Sequence, residues 1–93
     1  MISTSFTNYR NERSLLIQEI NELERRLYDS KLHITKYNNL LKYHNSPFYR
    51  KEKESWELEK LKLEPALEEK YNQLRQVTSD YHSADHINIQ ELN

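Results

Sequence analysis

The chain has 93 residues, a mean hydropathy of −1.07 and a formal net charge of −1 at pH 7. It contains no cysteine and no glycine, which excludes a disulfide scaffold, a thiolate metal site and a glycine-rich phosphate-cradling loop. No apolar run is longer than Leu15-Leu16-Ile17, so no segment reads as a membrane-spanning helix, and the near-neutral balance excludes a chain that is basic throughout.

The opening residues, MISTSFTNYR, lack the apolar stretch of a secretion signal, and a cytoplasmic location is expected. Residues 1–6 read as a tail. From Tyr9 onward, apolar residues recur at alternating steps of three and four. The series is Tyr9, Arg13, Leu16, Ile20, Leu23, Leu27, Ser30, Ile34, Tyr37 and Leu41. Such a spacing places one stripe along one face of a helix. With neither Gly nor Pro to interrupt it, the pattern predicts a helix over 7–44, on the order of 55 Å long.

Asn45-Ser46-Pro47 ends that helix. A residue before proline avoids helical angles, serine is a favoured N-cap, and proline is favoured at the first position of a new helix. The turn is therefore expected at 45–46 and a second helix over 47–82. Its series is Tyr49, Lys53, Trp56, Lys60, Leu63, Leu67, Lys70, Leu74, Val77 and Tyr81. Pro65 falls inside it, where a proline removes a backbone hydrogen bond and crowds the preceding turn, so a kink or a break is expected there. Residues 83–93 read as a C-terminal tail.

Two helices of nearly equal length joined by a short turn must run antiparallel. Folding the chain about residue 45 brings Leu23 near Leu67, Ile20 near Tyr71, Leu16 near Leu74 and Tyr9 near Tyr81. The expected fold class is all-α, an antiparallel two-helix coiled-coil hairpin. The apolar side chains are few for the length of chain to be ordered, so completion by dimerisation or by a partner is expected. A second apolar set lies off the seam in the half nearest the turn. Tyr28, Leu32 and Leu40 on the first helix, with Leu58 and Leu61 on the second, are the candidate oligomer interface.

Charge is unevenly placed. Residues 1–29 carry −1, residues 30–53 carry +5 and residues 54–93 carry −5. The hairpin therefore has a basic tip, and that tip also gathers aromatic rings. Lys36, Lys42, Tyr43, His44, Phe48, Tyr49, Arg50, Lys51 and Lys53 are the candidate partner-binding residues. Cations among rings suit an acidic protein groove. Nucleic acid is the alternative partner, its phosphates meeting the cations and its bases stacking on the rings.

Catalytic chemistry is not expected. No nucleophile motif surrounds any serine, and the carboxylates are scattered along solvent-facing positions. A two-helix rod offers no deep pocket for a small-molecule substrate, and no cofactor is expected. His82, Asp85 and His86 have a spacing that would put them on one helical face as metal ligands. They lie where the helix is expected to fray and lack a fourth ligand, so no metal is expected.

Two pieces, SPFYRKEKE at 46–54 and LEPALEEKY at 63–71, resemble small helical chaperones of the tubulin-binding cofactor A kind. The likeness spans about a third of the chain, and the contiguous signature of that family is not in the sequence. The resemblance implies a chaperone that shields an apolar helix of its client. The expectation drawn from the residues themselves is a non-catalytic adaptor or regulator that binds a larger protein through the turn-proximal half.

Overall fold

The computed structural model describes the backbone of residues 2–92 and the side chains of residues 8–81. It contains two helices, α1 (Ile2–Leu41) and α2 (Pro47–Leu92), and no strand among the described residues. They pack against each other as a helical hairpin about 71 Å long, with cross-sectional extents of 18 and 15 Å. The antiparallel sense is set by cross-helix contacts whose residue numbers rise on α1 as they fall on α2. Tyr9 meets Tyr81, Glu19 meets Lys70, His33 meets Trp56 and Tyr37 meets Tyr49.

The alternating series is the packed face. On α1 every member except Arg13 is buried or half-buried, and on α2 every member is. Leu16, Ile20, Tyr37 and Leu63 form the most buried apolar set. The expected Tyr9–Tyr81 pair closes the far end as a parallel ring stack, with centroids 4.0 Å apart. Lysines at three seam positions of α2 do not interrupt it. Lys53 and Lys70 are each about one-third exposed, so their aliphatic stems cover the seam while the ammonium groups reach out. Lys70 Nζ lies 2.6 Å from Glu19 Oε2 across the seam, and Arg26 pairs with Glu59.

Burial of a large apolar side chain contributes about 1.5–3 kcal/mol, and a partly exposed ion pair about 0–1 kcal/mol. The seam therefore holds the hairpin, and the cross-helix ion pairs fix its register. Ser30 is the most enclosed residue, with no exposed surface, and its hydroxyl donates to the Arg26 carbonyl at 3.0 Å. By register it faces the stretch between Trp56 and Leu63, and a small side chain there lets the helices approach.

The helices differ from expectation at their ends. The backbone is helical from Ile2 and to Leu92, where tails were expected at 1–6 and 83–93, because no glycine or proline stops either helix. α1 stops at Leu41 instead of 44. Its last turn tightens: the N–H of Lys42 donates to the Asn39 carbonyl, and the N–H of Tyr43 and of His44 to that of Leu40. Reversing the chain takes residues 42–46, not two. The expected break at Pro65 is absent, since α2 is one helix through that position. Pro65 is exposed, so its ring faces solvent and the flanking hydrogen bonds carry the helix past it.

Two stability predictions follow from this packing. Ser30→Leu should destabilise the hairpin by about 1–3 kcal/mol through overpacking, whereas Lys31→Leu on the exposed side should stay within about 0.5 kcal/mol. Urea unfolding followed by circular dichroism compares them, and equal midpoints would contradict a close approach at Ser30. Pro65→Ala should stabilise by up to about 3 kcal/mol, read as a higher melting temperature.

Candidate functional site

The turn end is built from a cap and a ring cluster. Ser46 Oγ accepts the Tyr49 N–H at 3.3 Å, and the Ser46 carbonyl accepts the Arg50 N–H at 3.1 Å. Ser46 is thus the N-cap and Pro47 the first residue of α2, as the sequence indicates. The turn forms without any positive-φ residue among those described, so it does not need the glycine this chain lacks.

Tyr49 is the hub of the rings. Its ring centroid lies 5.9 Å from Tyr37, 6.0 Å from Phe48 and 6.5 Å from His44. Tyr37 is buried and Tyr49 half-buried, so these two close the seam and are structural. Lys36 Nζ sits 5.3 Å from the Tyr37 ring centroid, a cation–π contact. Lys53 is half-buried and pairs with Glu57 at 3.7 Å. These four residues are engaged within the chain.

The others are presented outward. Tyr43 is 83% exposed and Phe48 61%, and Lys42, His44, Arg50 and Lys51 are exposed. Among the described residues, Lys42, Arg50 and Lys51 enter no ion pair. A shallow cleft lined by Leu41, Asn45, Arg50, Lys53, Glu54 and Glu57 opens beside them. The turn end can thus offer an anionic partner three cations next to two solvent-facing rings.

The second apolar set is not one surface. Tyr28 and Leu32 each lie two residues from enclosed Ser30, about 200° around the helix, so they stand on the outer back of α1. Leu61 is likewise two residues from buried Leu63, and Leu58 lies on the same outer back of α2. All four are exposed, while Leu40 is half-buried. Tyr28 and Leu32 are therefore on one side of the rod and Leu58 and Leu61 on the other. Leu15, 56% exposed, also stands on α1's outer side. Its exposure was legible as an apolar residue off the three-and-four spacing.

Lower on α1, Arg25 pairs with Glu22 at 2.7 Å and with Asp29 at 3.5 Å. The guanidinium hydrogen bond holds the Glu22 carboxyl below the usual carboxylate range, and Glu22 in turn raises Arg25. Both side chains are largely exposed, so this trio shapes the surface more than it stabilises the fold. No group of three or more metal-ligating side chains occurs among the described residues. His82, Asp85 and His86 lie outside the described side chains. No described helix is long and apolar enough to cross a membrane. Compared with family models, curated proteins and solved structures, the chain has no match.

Removing the cap should loosen the turn end first. Ser46→Ala should cost about 1 kcal/mol, and hydrogen exchange should show faster exchange at the Tyr49 amide than at seam amides such as that of Leu63. Unchanged exchange at Tyr49 would mean that the serine does not hold the start of α2.

Proposed function

We propose that the hairpin is a non-catalytic protein-interaction module, a small adaptor or regulator that docks its turn end on an acidic protein surface. The observation that carries the reading is the group of exposed, unpaired cations Lys42, Arg50 and Lys51 beside the bare rings of Tyr43 and Phe48. Like charges gathered at one end repel one another, and folding does not require them there. An anionic partner offsets that repulsion, and the rings add apolar contact once water is displaced. The stem behind them acts as a rigid coiled-coil spacer, bent where Pro65 interrupts the hydrogen bonding of α2. Its bare back faces take a second copy or a partner chain.

The same cations and rings also suit single-stranded nucleic acid, so the test includes it. The immobilised hairpin and its Lys42→Glu/Arg50→Glu/Lys51→Glu variant are each exposed to an acidic protein partner identified by capture and to a single-stranded RNA. The wild type should bind the acidic protein about tenfold more tightly than the variant at low salt, as three exposed charge contacts would allow. The difference should shrink as salt screens them. Equal affinities with helical content intact would move the docking surface off the turn end. Retention of RNA in preference to protein would reassign the partner.

A further inference from the structure

We infer that a second copy of this chain docks on the outer side of α1, antiparallel, about a two-fold axis near residues 29–30. The inference rests on reading the bare back faces as contact surfaces, and of the turn-end groups it uses Lys42 and Tyr43 alone.

The argument begins with spacing. The buried positions of α1 recur at alternating steps of three and four, so a step of seven returns to the same flank relative to the seam. Leu15, Glu22, Asp29 and Lys36 are one such row along the outer flank, and Tyr43 follows at the same spacing in the turn just past the end of α1. Its two ends are apolar and exposed, and Tyr28 and Leu32, also exposed, lie beside its middle. Among the described residues these are four of the seven large apolar side chains left exposed; Leu15, Tyr28 and Leu32 lie on the outer arc of α1 and Tyr43 just past its end.

The row is complementary to its own reverse. With a second α1 laid antiparallel and the axis near residue 29, Leu15 meets Tyr43 of the other copy. Glu22 meets Lys36, and each relation is repeated by symmetry. Tyr28 meets Leu32 in the same way, about an axis near residue 30. Such reciprocity is what an isologous two-fold contact requires. A parallel arrangement would instead set Glu22 on Glu22 and Lys36 on Lys36. A shallow groove lined by Leu15, Gln18, Glu19, Glu22, Leu23 and Lys70 lies where the ring of Tyr43 from the other copy would arrive. The one like-charge meeting is Asp29 with Asp29 at the axis, and each is paired with its own Arg25 at 3.5 Å.

The area sets the strength. The stretch from 15 to 43 is about 42 Å long and a helix about 10 Å across. That gives on the order of 900 Å² from both copies, at the low end of specific interfaces. A reversible dimer in the micromolar range is therefore expected. The two basic tips would point in opposite directions, giving a bivalent rod.

The chain has no cysteine, so introduced cysteines report geometry directly. Gln18 lies on the outer face of α1 and Lys42 directly follows its last residue, and both are exposed. In the antiparallel pair, residue 18 of one copy faces residue 42 of the other. Gln18→Cys and Lys42→Cys chains, one carrying a size tag, are mixed and oxidised. The mixed disulfide should form, and neither variant alone should cross-link to itself. Light scattering over roughly 1–100 μM, a range that brackets a weak homodimer, should show mass rising from monomer to dimer. Tyr28→Glu/Leu32→Glu should remain monomeric with helical content retained, whereas Leu58→Glu/Leu61→Glu should dimerise as the wild type does. A monomer throughout that range, self-linking at residue 18, or a dimer lost through Leu58 and Leu61 instead would each overturn the inference. The dimer is read from mass and cross-linking and the turn-end site from acidic-partner capture, so the two readings can fail separately.

Discussion

The hairpin depends on a seam only one side chain wide. Each helix supplies a stripe spaced by three and four, and the stripes meet from the Tyr9–Tyr81 stack to the contact of Tyr37 with Tyr49. Few side chains are nearly removed from water, chiefly Leu16, Ile20, Tyr37 and Leu63. With so narrow a core, the fit at each level matters. Ser30 fits because it is small, and His33 stacks on Trp56 with ring centroids 4.0 Å apart. Lysines are admitted on α2 because their stems cover the seam while their charges reach Glu19 or Glu57. The cross-helix pairs of Lys70 with Glu19 and Arg26 with Glu59 add little net energy at that exposure, but a shift by one turn would separate them.

Two helices can cover each other on one face only. Apolar residues on the flanks of the seam, such as Ile17, Leu40 and Tyr71, are then half-buried, and those on the outer backs are exposed. This separates the apolar side chains of the turn-proximal half into different roles. Tyr37 and Tyr49 close the seam, Tyr28 and Leu32 stand on one back, and Leu58 and Leu61 stand on the other. A layered domain would cover such faces with further elements. Among the described residues there is no further element to cover them.

The seam was legible in the sequence because its signal is periodic and uninterrupted. The turn was legible because serine before proline has a local meaning that needs no tertiary context. Both survive in the structure, down to the Ser46 hydroxyl accepting the Tyr49 amide. The grouping of Tyr28 and Leu32 with Leu58 and Leu61 was not. Linear proximity to the turn gives height along the rod, but the side of the rod follows only from angular position relative to the seam. The helix ends were also hidden. Nothing at residues 2–6 or 83–92 forbids helix, and weak amphipathic order is not a stop signal. At Pro65 the expectation of a break weighed the missing hydrogen bond but not the hydrogen bonds on either side of it, which keep α2 one helix.

The charge distribution constrains how such rods can associate, whatever the contact. The turn end carries the +5 of residues 30–53, and the remaining segments, at −1 and −5, meet at the open end. Side-by-side copies pointing the same way would stack basic on basic and acidic on acidic along their length. Copies pointing opposite ways bring unlike ends together, and the exposed charges interact within a screening length of about 8 Å at physiological ionic strength. The advantage is modest for any single exposed pair, but it acts along the whole overlap and always in one sense. The direction preferred by this long-range term is the direction in which Leu15 and Tyr43, and Tyr28 and Leu32, become reciprocal. Two features with no common physical origin, the segmental charge and the spacing of exposed apolar residues along α1 and the turn after it, would thus favour the same orientation if two copies met.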